Sequence, residues 1–206
     1  MLTNEIKMLL PFIDWTGGPA EITCNLVRDA DHKSLLSLHN GLTAFDGGLR
    51  IFGTEPGKLP TLQEWNQQNG WRSAYKELIK KTLVFFAEDV FGNQFALDDG
   101  KVLYFDVENG RATPFGDSFL QWLSSIIEDP VDRLQLMPYK NWRGKGERLE
   151  PSEHLCPVYP FIVKADPPLH ELYRVNSVED MQYKGHFAYQ IKDVPDGAQI
   201  KIKVTD

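Results

Sequence analysis

Residues 83–115, LVFFAEDVFGNQFALDDGKVLYFDVENGRATPF, constrain this chain more than any other stretch, because they read as short strands joined by turns too tight for anything but an antiparallel meander. Extended runs fall at 83–87, 94–97, 102–106 and 111–113. Between them, Asp98-Asp99-Gly100 and Asn109-Gly110 provide residues that accept the positive φ of a hairpin turn. Phe85, Phe86, Phe91, Phe95, Tyr104 and Phe105 give these runs the aromatic bulk of a packed, pleated surface.

Charge gives the same stretch a second reading. Residues 82–129 hold nine acids and two bases, an imbalance that accounts for the whole net charge of −7, while the remaining residues balance. Glu88, Asp89, Asp98, Asp99, Asp106 and Glu108 fall at turns and strand ends of one sheet, where a contiguous negative patch would attract and steer a basic partner. The alternative for Glu88 and Asp89 is to tie the Phe91-Gly92 turn through backbone hydrogen bonds.

Helices are expected on both sides of the meander. Asp31 stands where it can cap a segment carrying Leu35, Leu36 and Leu38 inward, with Gly41 after its end. A strand at 49–52 follows Gly47-Gly48. Thr61 and Glu64 form a capping-box pair behind Pro60, and a second helical piece carries Trp71, Tyr75, Leu78 and Ile79. Beyond the meander, Ser118 and Gln121 open the clearest helix. There Phe119, Trp122, Leu123, Ile126 and Ile127 make one apolar stripe that packs on the sheet, until Asp129-Pro130 stops it.

Residues 131–155 show no sustained period and gather Lys140, Arg143, Lys145 and Arg148 around Tyr139 and Trp142, so they read as a basic linker with an exposed Trp142. After it come a strand at 157–163, a short helix opened by Ser177, and a hairpin of strands 187–191 and 199–204 about Val194-Pro195-Asp196-Gly197. The fold class expected is therefore α+β: a mixed or antiparallel sheet centred on the meander, packed by helices, with a small C-terminal β-hairpin subdomain. Its parts are a domain at 1–130, the linker at 131–155 and an extension at 156–206.

The length suits one well-packed domain with an appendage, and no run approaches the ~20 apolar residues of a membrane span. The first residues have neither a basic leader nor a long apolar region, so a cytosolic, soluble protein without membrane contact is expected. Cys24 and Cys156 read as reduced thiols, and the acidic balance argues against direct nucleic-acid binding.

Residues 53–59, GTEPGKL, fall one short of the spacing of a phosphate-binding loop and put Leu59 where a hydroxyl must meet magnesium. No histidine pair has metal-ligand spacing, so neither metal nor cofactor is expected. His154 and Cys156, two apart, would point the same way on a strand, which leaves a cysteine-dependent enzyme as a minor alternative. No catalytic residues are assigned.

The stretches LLSLHNGLTAFDGGLRIFG and FFAEDVFGNQFALDDGKVLYFDVENGRATPFGDSFLQWL resemble the SUKH superfamily, which holds fungal cell-wall synthesis regulators and bacterial toxin-immunity proteins. The match is carried by Asn40-Gly41, residues 48–53, Glu88-Asp89, Phe91-Gly92, Gln94-Phe95, Gly100, residues 102–105, Glu108, Phe119 and Trp122, within about 30–130. Residues 170–204 also look like the C-terminal part of immunity proteins that neutralise DNase effectors of type VI secretion. The resemblance implies a non-catalytic α+β protein that binds a cognate toxin, with a basic nuclease domain as the expected partner of the acidic meander. A regulatory scaffold like the fungal relatives is the alternative.

Overall fold

The computed structural model describes residues 3–164 and 171–201. Strands β1 (Ile13–Thr16), β2 (Leu42–Ala44), β3 (Leu49–Ile51), β4 (Val84–Asp89), β5 (Gln94–Asp98), β6 (Lys101–Asp106) and β7 (Arg111–Gly116) form one seven-stranded sheet in sequential order, with every neighbouring pair antiparallel. The expected meander is its C-terminal half. Asp98 pairs with Lys101, leaving Asp99 and Gly100 as a two-residue turn, and both have positive φ (51° and 80°) as that turn requires.

Both faces of the sheet are covered, which is why β4 is buried over nearly its whole length and runs apolar without alternation from Val84 to Ala87. Phe86 points to one face, against Phe119 and Trp122 of α5 (Phe119–Glu128) and His32 of α2 (Ala30–Leu38); Phe95 reaches the same Trp122. Phe85 points to the other, where it meets Trp71 and Phe105, and Tyr75 of α4 (Arg72–Tyr75) packs edge-on against both of those rings. Helix α1 (Asn4–Leu9) packs on α5, and α3 (Leu62–Trp65) lies over β4 with the expected Thr61–Glu64 capping box formed. Ser118 accepts from the Gln121 N–H and Phe119, Trp122, Leu123 and Ile126 are buried, as the stripe predicts.

Several local expectations are corrected. Helix α2 is capped by Asp29, whose carboxylate accepts from the N–H groups of Asp31 and His32 at 3.0 and 2.8 Å; Asp31 lies inside the first turn. Leu38 is 41% exposed, because the buried face of that helix is His32, Leu35 and Leu36, and a residue two positions on from Leu36 points away from it.

The supposed linker holds two helices, α6 (Pro130–Arg133) and α7 (Leu136–Arg143); Leu134 between them and Leu136, Tyr139 and Trp142 of α7 are buried. Trp142 is only 7% exposed, so the exposed tryptophan expected there is not found. The breakers misled. Asp129 and Pro130 end α5 but also cap and start α6, and Pro138 sits in the first turn of α7, where the missing N–H costs no intrahelical bond.

At the C-terminus β8 (Glu153–Pro157) pairs antiparallel with β9 (Leu172–Asn176), so the strand placed at 157–163 starts and ends earlier. The helix opened at Ser177 is not short. Capped by Asn176, α8 runs Ser177–Ile191 and absorbs residues 187–191, which were expected to be the first strand of a hairpin. The turn at 194–197 does form, with Gly197 at positive φ and the Ala198 N–H donating to the Pro195 carbonyl at 3.1 Å, but residues 199–201 are not strand and 202–206 lie outside the described residues. Nor is this region an appendage: Leu155, Met181 and Ala188 belong to the same core as the sheet aromatics, and the Leu155 N–H donates to the Val90 carbonyl at 2.8 Å.

At Gly185 α8 lies close against α4; a Cβ there would stand 2.7 Å from Ala74 Cβ and 2.8 Å from the Tyr75 ring. Alanine normally favours a helix over glycine by about 1 kcal/mol. Here Gly185→Ala should instead destabilise the protein, net of that gain, by roughly 1–2 kcal/mol through overpacking. A urea titration showing an unchanged or raised midpoint would contradict this close approach.

Candidate functional site

A row of side chains crosses three strands on one face: Arg50 of β3 lies beside Glu88 of β4, and Glu88 beside Gln94 of β5. All three are buried, and each is satisfied by its neighbours. Gln94 donates from Nε2 to Glu88 Oε2 at 2.9 Å and accepts from Trp65 Nε1 at 2.7 Å. Arg50 donates to the carbonyls of Glu150, Pro151 and Glu153 at 3.3, 3.3 and 2.6 Å and lies 3.5 Å from Glu88 Oε1. The row is the seat of the C-terminal region. His154 of β8 brings Nε2 to 3.2 Å from Glu88 Oε2 and Nδ1 to 2.9 Å from Asp180 Oδ2, and Lys184 donates to the same Asp180 oxygen at 2.7 Å and to the Phe91 carbonyl at 2.6 Å.

Charges therefore alternate along a buried string: Arg50, Glu88, His154, Asp180, Lys184. Burial opposes every ionised form, and the partners overcome it. The Glu88 carboxyl is held below the usual range chiefly by the His154 charge, and the Asp180 carboxyl chiefly by the Lys184 charge. The same partners raise His154 and Lys184, so the imidazole keeps its proton to higher pH than a free one. Gly92 makes room for it, since a Cβ there would stand 2.7 Å from the imidazole ring.

This geometry decides where the six acids stand. Glu88, Asp89 and Glu108 are buried, Asp98 and Asp106 are half-buried, and only Asp99 is exposed. They are also divided between the two ends of the sheet, separated by the length of β5, roughly 13 Å from Gln94 to Asp98. At one end, Asp98 is paired with Lys80 at 2.7 Å and accepts from Thr82 at 2.9 Å beside the exposed Asp99. At the other, Asp89 accepts from the N–H groups of Phe91 and Asn93 at 2.8 and 3.0 Å and so closes the β4–β5 turn. Asp106 accepts from the Glu108 and Asn109 N–H groups in the β6–β7 turn, and Glu108 accepts from the Ile162 N–H at 3.0 Å. Burial raises the Asp89 carboxyl to about 6 and raises Glu108 as well. The contiguous acidic surface is thus overturned: four of the six face turns and the chain's own C-terminal region. Acids fall at turns in the sequence both when they meet solvent and when they cap backbone, and the pattern does not distinguish the two.

His154 and Cys156 do not form a nucleophile and base. Both imidazole nitrogens face carboxylates, the Cys156 Sγ donates to the Pro157 carbonyl at 3.6 Å, and burial pushes that thiol up to about 11, away from the reactive thiolate. Among the described residues no group of three or more His, Cys, Asp or Glu is placed to hold a metal ion, and no helix is long and apolar enough to cross a membrane.

Two surface depressions flank α7. One, of about 240 Å³, lies over the β2–β3 turn, where Phe45 and Asp46 both take positive φ (57° and 62°) and Tyr139 and Arg143 donate to the Asp46 carbonyl at 2.7 and 3.1 Å. The other, of about 500 Å³, runs between α7, the segment after β8 and the first residue of β9, lined by Met137, Asn141, Trp142, Lys145, Phe161 and Leu172. Phe161 anchors its floor to the core by packing edge-on against Phe91 at 5.3 Å. Of the exposed large apolar side chains, Met137 lines this groove, and Val158, Tyr159, Ile162, Tyr173, Val178 and Tyr183 lie elsewhere in the C-terminal region, while Met8, Leu10, Phe12 and Leu38 lie near the N-terminus. Sequence reasoning missed this groove because the residues that make it come from segments read as linker, as the strand at 157–163 and as C-terminal extension.

The architecture defines a sheet-centred α+β domain whose polar network closes over its own C-terminal region. Residues 34–174 match the model of the family described as Protein of unknown function DUF2625, and the chain belongs to that family. The match runs from α2 to β9 and so includes Arg50, Glu88 and His154, while Asp180 and Lys184 lie beyond it. No curated protein matches the chain.

Proposed function

We propose that this protein is a non-catalytic, stoichiometric binding protein of the toxin-immunity type, acting by occupying a protein partner inside the cell that makes it. The observation that carries the reading is where the chain spends its reactive groups. The one imidazole and thiol close enough in sequence to suggest catalysis are buried in structural contacts, while large apolar side chains, Met137 and Ile162 among them, are left exposed. The resemblance to SUKH immunity proteins supports the same class. The charge argument for a basic nuclease falls with the acidic patch, so the toxin's activity stays open within this reading.

The test is genetic and then biochemical. Where a polymorphic toxin is encoded beside this chain, co-expression should relieve its toxicity, and the purified pair should form a one-to-one complex. Turnover by the purified chain that Cys156→Ala abolishes would overturn the reading in favour of an enzyme, and so would full toxicity in the presence of the folded chain.

A further inference from the structure

We propose that the groove between α7 and the C-terminal region is the partner-docking surface, and that its occupant is a protein segment with apolar anchors flanked by carboxylates. The inference rests on the binding reading above and supplies the surface and the chemistry that it lacks. The apolar part of the argument is Met137, 54% exposed on the helix, above a floor made by Trp142, Phe161 and Leu172. Aromatic side chains held in place by a core give large contact area at little entropic cost, as binding hot spots require. Trp142 is held by Tyr139, which stacks on it at 6.3 Å, and Phe161 by Phe91.

Charge selects the occupant. The chain carries a net −7, yet among the described residues lining this groove the single charged side chain is Lys145, with no carboxylate. Lys140 and Arg148 are exposed nearby in sequence, against Glu147 alone from 137 to 148. An apolar groove whose one charged lining side chain is a lysine favours carboxylates around the inserted side chains and disfavours the basic cleft of a nuclease. Helical spacing fits the surface, since Met137, Asn141 and Lys145 are four apart and follow one line along α7 and its end.

Two synthetic peptides of equal length test this. One carries Leu and Trp on one helical face and Glu and Asp on the other; its counterpart has every acid replaced by Lys. Titrated into the isotope-labelled full chain, the acidic peptide should shift the Met137, Trp142 and Leu172 signals and bind at least about tenfold more tightly than the basic one. Met137→Glu and Lys145→Glu, at exposed positions, should each weaken it by about tenfold, and Lys101→Glu on the β5–β6 hairpin should not. Equal affinity for the basic peptide, or shifts confined to other elements, would overturn the proposal. So would self-association abolished by Met137→Glu, which assigns the groove to a second copy, or binding to phosphatidylserine vesicles abolished by Lys145→Glu, which assigns it to lipid. The two readings fail separately: a Met137→Glu chain that still neutralises the toxin sinks the surface and keeps the class, while peptide binding without any neutralisation sinks the class.

Discussion

Asp180→Ala should cost about 3–5 kcal/mol of stability, the largest effect expected of any single polar substitution in this chain, because it leaves two buried cations facing each other without their shared carboxylate. Asp180 Oδ2 is the one oxygen within reach of both His154 Nδ1 and Lys184 Nζ, at 2.9 and 2.7 Å, and all three groups are buried. Lys184 would keep only the Phe91 carbonyl, and His154 only Glu88. The loss should not be uniform. Because the string ties α8 and β8 to the sheet, amide exchange should accelerate first in α8 and last in β4 and β5. Replacing both members of a pair removes the stranded charge, so Asp180→Leu combined with Lys184→Met should be clearly less damaging than Asp180→Ala alone. Chemical denaturation of the three variants checks this, and a loss below about 0.5 kcal/mol for Asp180→Ala would mean that the group is solvated. The carboxyls of Glu88 and Asp180 are depressed in the folded state, so their contribution is present above the ordinary carboxylate range and is lost as pH falls through their folded values.

The second large effect is acid sensitivity at His32. This ring is fully buried between Phe86 and Phe119, neither of its nitrogens has a hydrogen-bond partner among the described residues, and burial lowers its pKa from 6.5 to about 3. The folded state therefore holds the neutral ring while the unfolded chain takes up a proton below 6.5. A depressed histidine costs nothing above its unfolded value, and stability is lost progressively between pH 6.5 and about 3. At about 1.4 kcal/mol per pH unit, the deficit at pH 5 is roughly 2 kcal/mol. His32→Leu, close in volume and without polar atoms, should be neutral or stabilising at pH 7 and more stable than wild type by roughly 2 kcal/mol at pH 5. The comparison between variant and wild type is essential, because His154 and Asp89 pull the other way: both are raised on folding, so each adds stability as pH falls through its folded value. Parallel stability curves for the two proteins from pH 7 to 5 would show that the ring finds a partner.

What the sequence determined by itself was local. The meander was legible because Asp99, Gly100 and Gly110 take positive φ at its turns, and α5 because its stripe and Ser118 cap agree on one helix. The Thr61–Glu64 box needed nothing beyond four residues. Tertiary structure decided everything that joined distant segments. Residues 187–191 read as strand by composition yet complete α8, because Asn176 caps a helix whose Met181, Gly185 and Ala188 face the core. The stretch read as linker contains α6 and α7 because Leu134, Leu136, Tyr139 and Trp142 find partners that no local window contains. Charge showed the same divide most sharply. Glu88 and Asp180, ninety-two positions apart in the chain, meet through His154, and only that meeting separates a buried ion string from a solvated acidic face. Sequence records that a carboxylate is present, but its meaning depends on whether a cation and a hydrogen-bond donor arrive with it when water leaves.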